Sequence, residues 1–417
     1  MLPKTAVPAA TRKPAQTWAA LVAVFGVTSL VEGLSVSQIL SFLPLYLRQL
    51  GVGQADVGHW VGALSSITFL IGLPLVPFWG VWADRWGRRP VIARSALVEA
   101  AVLLLAGLSR SPWQLAGTLL LVGFQLGNTG IMLAAIREAA PDRRVGLATA
   151  LLGMSGSLGF ALGPAAGGRL VDAGVLSLRG LYFLDSALSV GTTLLVLLAY
   201  RETWAPRTVV SSAGRQALDA LTGIWRHAVT RRLFVIFTLA ILGAQMSSPY
   251  FPLVVQVRHP QPEGLAGAIG AVVGASALVG ALLSPVAGIL GDRFGFSRVL
   301  AAAIGAVAVS LAVFPFVPTV AALVGVAVLF GAGRSAAQAM LFALLATRTP
   351  SERRATTLNL VYVPLYVGGI IGPAIAAAVV GAGLAPVFFV GAGAFVLALV
   401  LTLRGDPSQP SPCAERG

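Results

Sequence analysis

The chain has 417 residues, of which 57% are hydrophobic and 11% are charged, and its mean hydropathy is +0.86. Soluble proteins carry about 25% charged residues, so this composition excludes a water-facing surface of ordinary size. The net charge of +14 arises from short basic stretches between long apolar runs, a pattern typical of membrane proteins and not of nucleic-acid binding. The single cysteine, Cys413, excludes an intrachain disulfide and a cysteine-rich metal site.

A membrane helix needs about 20 mainly apolar residues. Such runs predict an all-α polytopic membrane protein with about twelve transmembrane helices. The predicted spans are 18–47, 55–80, 90–108, 113–136, 146–171, 179–200, 232–257, 265–290, 298–317, 319–346, 356–381 and 384–403. Lys and Arg concentrate in the loops on the N-terminal side of this arrangement, which predicts that both termini are cytoplasmic.

The two halves of the sequence share an outline. Four residues near the end of the second predicted span recur 208 positions later, so that Gly80, Asp84, Arg85 and Gly87 correspond to Gly288, Asp292, Arg293 and Gly295. This repeat predicts two pseudo-symmetric six-helix halves, residues 1–200 and 232–404, joined by a cytoplasmic linker at 201–231 and followed by a cytoplasmic tail at 405–417. The linker fits an interfacial amphipathic helix and a plain solvated connection equally well.

The stretch Gly80-x-x-x-Asp84-Arg85-x-Gly87-Arg88-Arg89 resembles the loop signature of the major facilitator superfamily, and a weaker copy follows the eighth predicted span. The resemblance extends over nearly the whole chain and implies that family's fold and alternating-access transport. It also implies that the charged cluster clasps the two halves together when the cytoplasmic side is closed. A simple topology anchor is the alternative for the same charges.

A glycine pattern in the fifth predicted span, Gly159-x-x-x-Gly163-Pro164-x-x-Gly167-Gly168, resembles the antiporter signature of drug–proton exporters in this family. Small residues at every fourth position let helices pack backbone to backbone. We expect Gly280, Ser284 and Gly288 of the eighth span to supply the matching face. The Arg that such exporters carry in the fourth span is absent, since the stretch reads LVGFQLGNTG.

Four ionisable residues lie inside predicted spans, namely Glu32, Glu99, Asp185 and Arg334. Charges inside a membrane are costly, about 2.5–3.5 kcal/mol on insertion scales, and mark functional sites by default. They are therefore candidates for proton coupling or substrate binding, although buried structural pairs are the alternative. Polar and aromatic side chains that are candidates for lining a cavity are Gln38, Tyr46, Gln125, Asn128, Gln245, Tyr250, Gln338 and Tyr362.

These patterns predict a secondary transporter that exports small amphipathic compounds, cationic ones among them, in exchange for protons. A carrier for a metabolite or lipid, working as an importer or uniporter, is the first alternative, and a transport-dead membrane sensor is the second. We expect no enzymatic activity, no cofactor, no metal and no nucleic-acid partner. The expected partners are the substrate, protons and membrane lipids, and the chain is expected to be a monomer in the plasma membrane, in particular a bacterial inner membrane.

Overall fold

The computed structural model of the chain describes residues 16–125, 128–202, 228–348 and 362–404, and all regular elements in these ranges are helical. Twelve helices in the described ranges are long and apolar enough to cross a membrane. They are Trp18–Gln49, Val57–Leu75, Arg88–Leu108, Pro112–Ala139, Val145–Asp172, Leu178–Ala199, Ala228–Arg258, Leu265–Phe294, Phe296–Phe316, Val320–Arg348, Val363–Ala382 and Leu384–Leu403. The predicted number of spans is confirmed. The predicted linker, for which a helix is one alternative, lies outside the described residues apart from 201–202 and 228–231.

Several spans contain breaks. The second span consists of the helices Val57–Leu70 and Gly72–Trp86. The seventh consists of Ala228–Ser247 and Phe251–Arg258, separated by a 3-10 turn that contains Pro249. A proline lacks the N–H that an α-helix needs and clashes with the preceding turn, which accounts for the break in the seventh span.

The repeated charged motif lies mainly in helices and not in loops, which corrects the expectation from the sequence. The helix of the second span continues past the end of its apolar run to Trp86, and Gly87 alone, with φ of +94°, separates it from the helix that begins at Arg88. The eighth span likewise continues to Phe294, and Gly295 has φ of +91°. Only glycine adopts this backbone region without strain, so each motif ends in a one-residue turn.

The twelve spans form two six-helix halves that meet along two pairs of helices. The fifth span packs against the eighth, and the second packs against the eleventh. Gln16 and Arg404, the first and last described residues, lie on one side of the bundle because the number of spans is even. This side is here called the terminal side, and the opposite side is called the far side. The fold is therefore the expected pair of pseudo-symmetric halves.

The glycines of the fifth span face two different neighbours. Any Cβ at Gly159 or Gly163 would collide with the backbone of the first span, near Leu30 and Leu34. At Gly168 it would collide instead with Ala266 of the eighth span. The small-residue packing is confirmed, but most of the fifth-span glycines face the first span within the same half.

The face of the eighth span that meets the fifth contains Gly270 and Gly274, which contact Pro164 and Ala161. The expected face of Gly280, Ser284 and Gly288 is wrong. Gly280 instead approaches Gly331 of the tenth span, and no atom of another element lies within 4 Å of a Cβ built at Gly288. The glycine pattern identified a helix face that allows close backbone packing, but the second half contains several such faces.

Candidate functional site

Glu32 lies in the interior of the first half, near the middle of the first span, and its side chain is partly buried. The side-chain amide of Asn128, in the fourth span, donates a hydrogen bond of 3.0 Å to Glu32 Oε2. The other described carboxyl groups of the first-half interior belong to Glu99 and Asp185. Glu32 and Asn128, both singled out from the sequence, are thus joined directly by a hydrogen bond.

Glu99 and Asp185 lie between the third and sixth spans, and both are almost completely shielded from solvent. Glu99 is close enough to Glu32 and Asp185 for electrostatic interaction, and Ser189 lies beside it. Among the described residues, Glu99 Oε1 and both carboxyl oxygens of Asp185 have no hydrogen-bond partner. Buried polar atoms without partners are costly, so this group of carboxyls is suited to holding a proton or a water molecule.

Arg334 lies at the centre of the tenth span, in the second half. It borders a small pocket whose walls are mainly apolar. The pocket residues are Phe237, Ala240, Ile241, Arg334, Ala337, Gln338, Leu341 and Phe395. Arg334 and Gln338, singled out separately from the sequence, lie one helical turn apart and both line this pocket.

Other residues predicted to line a cavity lie in packed helix contacts. Tyr46 is fully buried and its hydroxyl donates to the Ala106 carbonyl at 2.7 Å, within the first half. Tyr250 is also fully buried, and its hydroxyl donates to the Gly58 carbonyl at 2.9 Å, between the halves. These two tyrosines therefore connect helices.

The remaining predicted cavity residues differ in burial. Gln38 and Gln125 are buried, and the backbone carbonyl of Gln125 accepts a hydrogen bond from the Ser95 hydroxyl. Gln245 is half-buried. The side chain of Tyr362 lies outside the described part of the chain, as does that of Asp84.

Polar contacts between the halves occur on the far side. In the described ranges, Ser66 donates to the Ile370 carbonyl at 2.6 Å, and a ring nitrogen of His59 lies 2.7 Å from the Ala377 carbonyl oxygen. Asp172, at the end of the fifth span, accepts from the backbone N–H groups of the eighth span. Together with Tyr250, these contacts close the far side of the interior.

On the terminal side, the charged motif makes its described contacts within the first half. The Arg88 guanidinium forms a two-pronged ion pair with Glu138, at 2.6 and 2.8 Å. The Glu202 carboxylate accepts hydrogen bonds from the backbone N–H groups of Arg88 and Arg89, which begin the third span. The inter-half hydrogen bonds named above, by contrast, lie toward the far side.

Sequence reasoning missed Asp172, Glu138 and Glu202. Each lies at or just beyond the end of an apolar run, where acidic residues are common and carry no distinctive pattern. The available signal was their proximity to motifs: Asp172 follows the fifth-span glycines by four residues, and Glu138 ends the fourth span one loop before them. Proximity in sequence could not show which backbone groups they contact.

A sequence profile described as Major Facilitator Superfamily matches residues 21–268 and 261–417. The chain is 34% identical over 278 residues to the multidrug resistance protein MdtG of Enterobacter lignolyticus, a match that covers 66% of this chain and 65% of that protein. It is 30% identical over 391 residues to MdtG of Klebsiella pneumoniae, which covers 91% of this chain and 93% of that protein.

The fold is also similar to the crystal structure of the nucleoside transporter NupG. The TM-score is 0.75 with 17% sequence identity, and the match covers 92% of this chain and 98% of that one. At this identity the similarity concerns the arrangement of helices alone.

Proposed function

Because the chain belongs to the major facilitator superfamily, we propose that it exports small amphipathic compounds, cationic ones among them, in exchange for protons. The observation that carries the proposal is the 30% identity to a multidrug resistance protein over 391 residues. The fold and the interior charges support it, since a solute route and groups able to exchange protons are both needed. We further propose that the chain works as a monomer in a bacterial inner membrane.

The basic loops favour a cytoplasmic terminal side. In that orientation the interior opens to the cytoplasm, and the contacts of Asp172, Tyr250, Ser66 and His59 close it to the outside. Cargo enters from the cytoplasm or the inner leaflet and is released when these contacts part and the terminal side closes. This is the loading state of an exporter.

Proton coupling is assigned to the carboxyls of Glu32, Glu99 and Asp185. Glu32 interacts with Asn128 near the interior space, while Glu99 and Asp185 extend the group toward the far side. A proton gradient drives export only if some group is protonated on one side and releases its proton on the other. The electrical component alone provides about 2.3 kcal/mol per charge per 100 mV.

We assign the charged motif of the second span to the opposite state. Arg85 is exposed on the terminal side, and its guanidinium lies over the ring of Trp86. When the terminal side closes, Asp84 and Arg85 would engage the second half and clasp it. Substitution of Asp84 by Asn should then raise the population that is open to the cytoplasm, whereas a topology anchor would leave it unchanged.

The proposal is tested in two steps. Expression in a host lacking its own exporters should raise the inhibitory concentrations of several amphipathic compounds. The purified chain, reconstituted in vesicles, should then move an amphipathic fluorescent dye in response to an imposed pH gradient. A gradient-independent flux would favour a metabolite or lipid uniporter, and a complete lack of flux for every compound would favour a sensor.

A further inference from the structure

Arg334 faces the interior of the transporter although its side chain is exposed. It is 14 residues from each end of the tenth span, Val320–Arg348, so at 1.5 Å per residue it lies about 21 Å from both ends. Leu329, on the same helix, is 44% exposed. Five residues separate the two, which places them about 140° apart around the helix, so Leu329 faces lipid and Arg334 does not.

The neighbouring residues fix this orientation. Gly331 packs against Ser276 of the eighth span, and Gly333 packs against Val307 of the ninth. The direction of Arg334 leads instead to Phe237 and Ile241 of the seventh span, across the apolar pocket. The guanidinium therefore borders the space between the seventh and tenth spans.

Among the described residues of its own half, this guanidinium has no countercharge. In the described ranges, no hydrogen bond or ion pair joins Arg334 to another residue. The described acidic residues of the second half, Glu263 and Asp292, lie in a far-side loop and at the terminal-side end of the eighth span. A charge at this depth is costly without an anionic partner, and the carboxyls that the structure describes in the interior belong to the first half.

On the basis of the proposed export function, we infer that Arg334 binds an acidic group of the transported compound, so that the cargo class is amphoteric and not purely cationic. The guanidinium fork pairs with the two oxygens of a carboxylate or a phosphate. The pocket beside the guanidinium is small and mainly apolar, so it accommodates only the acidic end of the cargo, while Glu32 in the opposite half binds a basic group.

The test uses two dyes with one molecular body: rhodamine B, which has a free carboxylate and a cationic xanthene, and its ethyl ester, which is only cationic. Binding is measured by fluorescence polarisation on purified protein, without a gradient. We expect the wild type to bind the acid about tenfold or more tightly than the ester. Arg334→Gln should lose this preference and keep its affinity for the ester, whereas Arg298→Gln, which removes an exposed Arg, should behave as the wild type.

Equal wild-type affinities for the two dyes, or an equal loss of both in Arg334→Gln, would overturn the assignment. If Arg334→Gln does not fold, Arg334→Lys keeps the charge and should retain a weaker preference for the acid; an Arg334→Lys protein that prefers the ester would contradict it. Binding is measured without transport, so the preference for the acid can be observed even if gradient-driven export is not. Likewise, gradient-driven export can be observed even if the preference for the acid is absent. The two proposals are thus judged separately.

Discussion

The carboxylate of Asp172, the last residue of the fifth span, accepts a hydrogen bond of 2.6 Å from the backbone N–H of Gly267 in the eighth span. Its other oxygen accepts from the N–H of Ala266 at 3.2 Å. N–H groups in the first turn of a helix have no intrahelical acceptor, and the helix dipole favours an anion there. One carboxylate therefore ties the far-side ends of the two halves together.

Substitution of Asp172 by Asn should loosen this contact and raise the population that is open on the far side. The contact is exposed, so the effect should be about 0.3–1 kcal/mol, or about a two- to fivefold change in population. Spin labels at Val175→Cys and Phe316→Cys, in a Cys413→Ser background, report the far-side distance. Asp56→Asn, which removes another far-side carboxylate, is the control. Equal distance distributions in the Asp172→Asn and Asp56→Asn variants would show that Asp172 does not hold the two halves together.

Glu32→Gln and Glu99→Gln should each fold but weaken proton-driven transport. Loss of one coupled proton removes about 2.3 kcal/mol per 100 mV, so dye accumulation should fall by about tenfold or more. Accumulation is measured in reconstituted vesicles with imposed pH and electrical gradients. Glu263→Gln, in a far-side loop, should accumulate dye normally. Wild-type accumulation in both interior variants would mean that protons are coupled elsewhere.

Gly163→Ala should destabilise the protein, because the added Cβ would lie 2.5 Å from Ser37 Oγ and would press on the backbone of Leu34. Overpacking of this kind costs about 1–3 kcal/mol. Gly153→Ala, on the same helix, is the matched control, since its Cβ meets nothing within 4 Å; its higher helix propensity should stabilise the chain by up to about 1 kcal/mol. Thermal unfolding in detergent should therefore move in opposite directions for the two variants.

Two acidic residues on the terminal side should differ in their contribution to stability. The ion pair of Arg88 with Glu138 is partly solvent-exposed, with the Glu138 side chain 59% exposed, so Glu138→Ala should cost less than about 1 kcal/mol. Glu202 accepts from two backbone N–H groups at a helix start, and Glu202→Ala should cost about 0.5–2 kcal/mol. The larger decrease in unfolding temperature is expected for Glu202→Ala, and the reverse order would assign the main contribution to the ion pair.

The orientation in the membrane is tested by labelling a cysteine placed at Arg215, in a Cys413→Ser background. If the basic loops are cytoplasmic, an impermeant maleimide should label it only after cell lysis. Trp113→Cys, at the far-side start of the fourth span where the side chain is 73% exposed, should be labelled in intact cells. The opposite pattern would invert the assignment of both sides.

The sequence predicts the number and approximate limits of the spans because each apolar run must be long enough to cross the lipid. It predicts less well where a helix ends. The apolar run of the second span stops near Gly80, but the helix continues through Arg85 to Trp86, since a helix that leaves the lipid needs no further apolar residues. The positive φ that Gly87 tolerates, and not the change in hydropathy, sets its end.

The candidate site could be predicted from single residues but not from their contacts. A charged residue inside an apolar run can be recognised from the sequence alone, which is why Glu32 and Arg334 are identified. The hydrogen bond from Asn128 to Glu32 and the contact of Asp172 with the eighth span both join residues about 95 positions apart in the chain. A single sequence identifies a narrow or polar helix face, but not the helix that covers it.

The contact between the fifth and eighth spans has a mechanical consequence. Where Gly270 approaches Pro164 and Gly274 approaches Ala161, backbone meets backbone across the boundary. At these positions no side chain has to change rotamer when the halves separate, which lowers the barrier to the rocking motion. A free-energy difference of about 1.4 kcal/mol changes the ratio of the two conformational states tenfold. The binding of one cargo molecule or the transfer of one proton is then sufficient to shift the equilibrium from the state open on one side to the state open on the other.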